Sequence, residues 1–192
     1  MKRILIALCL LFALALSFSS CGDKKEEPRV AAKELGLTAQ LAENGKILAD
    51  LAVKMDALVA AVTPDRQRTA MIIIKENMEK AALVCMYEAR VMDGAVASIV
   101  KTPDPKAADE KFTRKSVVAQ TSSEALARFS GAAQKALEDV YNKDAITLAQ
   151  EALGLAADSS ALLKQGVGLA AEAKGQAAAP AKTEAAAKPV QH

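Results

Sequence analysis

Residues 66–100 read RQRTAMIIIKENMEKAALVCMYEARVMDGAVASIV. Within them Met71, Met78, Cys85, Met92 and Ile99 recur every seven residues, accompanied by Ile74, Ala81 and Ala95 and interrupted by Glu88. Apolar residues at this spacing line one face of an α-helix; a half-buried strand would alternate instead. Away from the stripe, Lys75/Glu79 and Glu76/Lys80 stand four residues apart, a spacing that supports a solvated face. Thr63-Pro64-Asp65 precedes it, with threonine as cap and proline at the first helical position. The stretch therefore predicts one helix running to about Val100.

The same pattern extends in both directions. Upstream, Val30, Leu37, Leu51 and Leu58 share one heptad position, and Leu41, Leu48, Met55 and Val62 share its partner, with Asn44 a polar intruder. This predicts a helix from about Val30 to Val62 with a bundle-type seam. Asn44 either fixes register or reaches water. Downstream, Thr102-Pro103-Asp104-Pro105 ends the second helix. A third is expected from about Lys106 to Tyr141, its seam including Ala108, Phe112, Ala119, Leu126, Phe129 and Val140 and weakened by Lys115 and Ser122. Thr121-Ser122-Ser123-Glu124 reads as a capping box, so a kink is expected near residue 122. A fourth helix follows Asn142-Lys143-Asp144 and runs to about Lys174, with Asp158-Ser159-Ser160 a candidate interruption. From Gly175 onward the chain is rich in Ala, Pro and Lys and holds no large apolar residue but Val190, the composition of a disordered tail.

Four helices joined by short connections predict an all-α, elongated antiparallel bundle. Each helix would be about 45 Å long at 1.5 Å per residue. Composition agrees: aromatics are 3% and tryptophan is absent, so the core must be built from alanine and aliphatic residues, which favour close helix packing. Residues 144–166 offer an alternative. Ala145-Ile146, Ala152-Leu153, Asp158-Ser159, Ala161-Leu162 and Gly166 resemble part of a tetratricopeptide repeat, which would imply a short array of helical hairpins.

The first 29 residues carry a separate signal. Lys2 and Arg3 precede a largely apolar run from Ile4 to Phe18, which has the length of a signal peptide and is shorter than the roughly 20 residues of a membrane span. Phe18-Ser19-Ser20-Cys21 then resembles the lipobox of bacterial lipoproteins, with Phe18 standing where leucine is usual. The resemblance implies that residues 1–20 are a signal peptide removed before Cys21. It also implies that Cys21 carries a diacylglycerol thioether and an N-acyl chain, and that residues 21–29, containing DKKEEPR, are a tether. Gly22 after the cysteine is similar to an outer-membrane sorting signal, so the resemblance places residues 30–174 in the bacterial cell envelope, facing the periplasm.

Several chemistries are excluded or disfavoured. Removing Lys2 and Arg3 from 25 basic residues leaves 23 against 23 acidic; a neutral chain gives no electrostatic reason to expect nucleic-acid binding. His192 is the only histidine, which removes His-based triads and His metal sites. Cys85 is the one cysteine beyond Cys21, so no disulfide is expected within a mature chain. Gly166-Val167-Gly168-Leu169-Ala170-Ala171 formally matches a dinucleotide fingerprint but lacks the preceding strand that motif requires. Met71, Met78, Cys85, Met86 and Met92 could offer soft metal ligands, yet a seven-residue step is about 10 Å of helix, and methionine also fills cores of small residues. No catalytic residue, cofactor or metal site is expected. The reading is a non-enzymatic, lipid-anchored helical domain that binds an envelope protein or acts structurally. The alternatives are a helical domain binding a small ligand or soft metal, and a tetratricopeptide-like adaptor.

Overall fold

The computed structural model describes residues 29–63 and 65–178, with side-chain surroundings for residues 33–63 and 65–175. The expected signal peptide, Cys21, the expected tether to residue 28, Pro64 and the chain from residue 179 lie outside the described residues. Five helices follow one another: α1 Arg29–Ala61, α2 Arg66–Met92, α3 Ala95–Val100, α4 Pro105–Leu137 and α5 Lys143–Ala178. No strand occurs among the described residues. The four long helices form an up-down bundle in which α1 packs on α2, α2 on α4, α4 on α5 and α5 back on α1, with α3 closing one end.

The heptad stripes are the core. Leu41, Leu48 and Met55 of α1 meet Met71, Ile74, Met78 and Cys85 of α2, while Leu126 and Leu163 enter from α4 and α5. Alanines fill most of the remaining interior, among them Ala119, Ala133, Ala145, Ala149 and Ala152. Small residues bring helix axes close, and at Gly45 the approach is limiting. A Cβ there would stand 2.9 Å from Met86 Cγ and 3.1 Å from the Ala82 carbonyl oxygen. Gly166 is a second notch, which receives the Met92 methyl.

Side-chain acceptors set the helix starts. Asp65, not Thr63, caps α2, accepting from the Arg68 N–H at 2.9 Å. Asp104 caps α4, with Pro105 at the first helical position. Asn142 Oδ1 accepts from the N–H groups of Asp144 and Ala145, both at 3.0 Å. Gln67 Oε1 accepts from the N–H groups of Tyr141 and Asn142 at 2.7 and 3.1 Å, tying the α4–α5 turn to the start of α2.

Several sequence expectations are corrected. The second helix does not run unbroken to Val100: it stops at Met92, and Gly94 adopts φ +69° before α3 begins. Glycine enters that left-handed region without the Cβ clash other residues meet. The third helix does not restart at residue 122 but runs unbroken through it, and it ends at Leu137 rather than Tyr141. The expected capping box is absent because Thr121 Oγ1 donates to the Val117 carbonyl and Ser122 Oγ donates across to α2. Asp158-Ser159-Ser160 does not interrupt α5; Ser159 and Ser160 turn to partners on α1 and α4. An unbroken α5 removes the turn a tetratricopeptide hairpin needs, so the helical-hairpin array is overturned in favour of the bundle. The helix also passes Gly175, reaching Ala178.

Candidate functional site

The polar residues that interrupt the stripes converge in the interior. Glu88 of α2 is 0% exposed, Glu34 of α1 2% and Lys115 of α4 8%. Ser122, one heptad beyond Lys115, donates to Glu88 Oε1 at 2.7 Å. Glu88 Oε2 and Lys115 Nζ are buried without a hydrogen-bond partner, and no direct ion pair joins them. Farther along the bundle, Asn44 Nδ2 donates to Ser159 Oγ at 3.0 Å, beside the buried Cys85. Ser123 and Ser160 bond at 2.5 Å across α4 and α5.

Glu34 has a distinct task. Its two carboxylate oxygens accept from the Val96 N–H at 2.9 and 3.1 Å. Gly94, which precedes α3, supplies no side-chain cap, so a carboxylate 62 residues away in sequence does so. Negative charge at a helix start is favourable.

Burial sets the electrostatics. It raises the Glu34 carboxyl above its ordinary range; the Val96 N–H and the Lys115 charge oppose that, and Asp93 adds to it. Burial also lowers the Lys115 ammonium, opposed by Glu88 and Glu34. The Cys85 thiol is pushed up by burial, against the Ser159 hydroxyl; it is a protonated core group rather than a poised nucleophile. A lysine with a lowered pKa is a feature general bases share. Here, however, Nζ has no hydroxyl within hydrogen-bond reach, and Ser122 is committed to Glu88.

A pH dependence follows. Below its lowered folded-state value, Lys115 is charged in both folded and unfolded chains, and the full burial penalty acts on the native state. Between that value and the ordinary 10.5, the unfolded chain holds the extra proton, so stability rises with pH. In urea denaturation across pH, the stability of the wild type relative to Lys115→Met is expected to climb as pH approaches 10.5. A difference that stays flat would mean Lys115 is solvated.

Beside the cluster the surface opens into a slot of about 250 Å³. Val91, Ala95, Ile99 and Val118 form its apolar floor, and Lys111, Arg114 and the buried Lys115 supply its cations. Lys111 Nζ donates to Ser98 Oγ at 3.1 Å and to Thr102 Oγ1 at 2.8 Å, which pins it at the rim.

Of the sequence-predicted residues, Cys21 lies outside the described chain. Of the sulfur stripe, Met71, Met78, Cys85 and Met92 are buried in the core and Met86 is half-buried; among the described residues no group of three or more His, Cys, Asp or Glu side chains is placed to hold a metal. Sequence reading marked Glu88, Lys115, Ser122 and Asn44 singly, without their convergence, and missed Glu34. A signal for Glu34 was present: it stands one heptad before Leu41 on the seam that continues to Leu48 and Met55. No protein-family model, curated protein or solved structure matches the chain.

Proposed function

We propose that this chain is a bacterial envelope lipoprotein, cleaved before Cys21 and held on a membrane by acyl chains on that residue. Its helical domain is a non-enzymatic body that binds another envelope protein or acts structurally. The observation that carries the proposal is the order of the N-terminal residues: Lys2-Arg3, the apolar run Ile4–Phe18, then Ser19-Ser20-Cys21-Gly22. No helix among the described residues is long and apolar enough to cross a membrane, so attachment would rest on the lipid. Two or three acyl chains hold stably where one holds marginally. Gly22 supports the outer membrane, with the domain facing the periplasm.

The helical domain fits a spacer or docking body. Its long helices run about 40–54 Å at 1.5 Å per residue, and its interior is closed by small residues. Growth with a radiolabelled fatty acid tests the proposal. The wild type is expected to take up label, and Cys21→Ser to lose essentially all of it and to retain its leader. Equal labelling of the two, or none in the wild type, would overturn the anchor.

A further inference from the structure

We propose that the slot between the α2–α3 joint and α4 docks the headgroup of an anionic phospholipid in the membrane that holds Cys21. This rests on the lipoprotein reading and adds a second, non-covalent contact with the same bilayer.

The chemistry of the slot is that of a phosphate bound over an apolar floor. Arg114 makes no ion pair and no side-chain hydrogen bond among the described residues, which leaves its planar fork free for two phosphate oxygens. Lys111 is likewise without a carboxylate, its ammonium fixed by Ser98 and Thr102. Because Ser98 Oγ accepts from Lys111, its own proton is available to an anion in the slot. Lys115, buried at the inner wall, faces the Glu88 and Glu34 carboxylates, so the positive charge offered to a ligand rests on Arg114 and Lys111. Asp109 and Glu110, the nearest acids in sequence, pair with neither rim cation, and Asp109 is taken by Lys174. Freedom from ion pairs is shared by other described cations, Lys54 and Lys164 among them; what sets Arg114 and Lys111 apart is that both flank one apolar slot. Val91, Ala95 and Val118 offer the glycerol and upper acyl carbons an apolar surface, backed by the buried Ile99.

Position points to a membrane lipid in particular. Glu34, in the second turn of α1, bonds Val96 of α3, and α3 supplies Ile99 and Ser98 to the slot. The slot therefore lies at the end of the bundle where α1 begins. The chain from Cys21 to Arg29 can span at most about 28 Å, so this end is the one held nearest the bilayer. Without residues 1–20 the chain carries equal numbers of acidic and basic residues; attraction to an anionic surface must come from a local patch rather than from net charge.

The test uses the chain from residue 21 onward with Cys21→Ser, so that no acyl group contributes. Sedimentation is measured with vesicles of phosphatidylcholine alone and of phosphatidylcholine mixed with phosphatidylglycerol. Binding is expected only to the mixed vesicles and should weaken with salt. Arg114→Glu should lower it about fivefold and Lys111→Glu with Arg114→Glu about 20-fold or more, judged against roughly fivefold per basic residue at a surface. Lys54→Glu with Lys164→Glu, which makes the same change in net charge on α1 and α5, should lower it less than about threefold. Equal binding to both vesicles, equal losses in the two double variants, or abolition by free inorganic phosphate at headgroup concentration would each overturn the docking. The anchor is read separately: a labelled Cys21 with no vesicle binding overturns the slot alone, and vesicle binding with an unlabelled Cys21 overturns the anchor alone.

Discussion

Leu48→Ala is expected to destabilise the bundle by about 3–5 kcal/mol, lowering the melting temperature by roughly 10 °C or more. Leu48 is 0% exposed and faces Ile74 and Met78 of α2, Phe129 of α4, and Ala149 and Ala152 of α5. Truncation removes the transfer free energy of a buried isobutyl group and leaves a hole that the surroundings must fill. They are poorly equipped to do so. Alanine has no torsion that could swing a methyl inward, and the backbone of α5 is held by its contacts with α1 and α4. A half-open gap lined by the same residues already lies beside this layer. Leu83→Ala is the matched control. Leu83 is 66% exposed on α2, and its truncation should change stability by less than about 0.5 kcal/mol. Equal losses at the two positions would mean that the heptad stripe is not the core.

Glu34→Ala is expected to cost about 2–4 kcal/mol, through a different mechanism. The substitution orphans the Val96 N–H, buried at the start of α3, and charge-assisted bonds of this kind are worth about 1.5–3 kcal/mol each. It also takes from Lys115 one of the two carboxylates that favour its charge, and an uncompensated buried ammonium is costly. Relief of the carboxylate's own burial penalty offsets part of this, and is the reason the figure is not larger. Glu34→Gln retains one acceptor oxygen for Val96 and removes the charge, so it should lose roughly half as much. The loss should also depend on pH. Burial raises the Glu34 carboxyl above its ordinary 4.5, so its penalty acts fully above the folded-state value. The penalty fades as pH falls through that value toward 4.5, and the wild type gains stability there relative to the variant. Hydrogen exchange at residues 95–100, faster in Glu34→Ala than in Glu34→Gln, would locate the damage at the α2–α3 joint. Equal exchange in both variants would contradict the capping role.

The fold was legible because its signal is repeated. Leu41, Leu48 and Met55, then Met71, Met78, Cys85 and Met92, state the helical period many times over, and Thr102-Pro103-Asp104-Pro105 punctuates it. What the period could not convey was any event decided by a single residue. Asp93-Gly94 breaks the second helix because one glycine can adopt a positive φ, and an apolar stripe that resumes at Val96 and Ile99 hides the break. Thr121-Ser122-Ser123-Glu124 and Asp158-Ser159-Ser160 looked like local capping chemistry. In the bundle, Ser122, Ser159 and Ser160 bond to neighbouring helices instead. A hydroxyl on a helix can serve its own backbone or a facing side chain, and only packing decides which.

The buried cluster was half visible for the same reason. Glu88, Lys115 and Ser122 each stood out as a polar residue on an apolar seam, but sequence spacing orders residues along one helix and not between helices. The convergence of Glu34, Glu88 and Lys115 depends on the antiparallel register of α1, α2 and α4. That register is set by close approaches such as Gly45 against Met86 and by the length of the turns. The slot beside Lys115 was less visible still, because half of its floor comes from α3, a helix the sequence did not separate from α2.

The most direct measurement on the proposed anchoring is the mass of the N-terminal peptide of the native protein, taken from the envelope fraction of the source cells. Proteolysis in detergent should release a peptide that begins at Cys21 and carries the mass of a diacylglyceryl group, with or without a further amide-linked acyl chain. A peptide with an unmodified Cys21, whether the chain has been cut elsewhere or keeps residues 1–20, would contradict it.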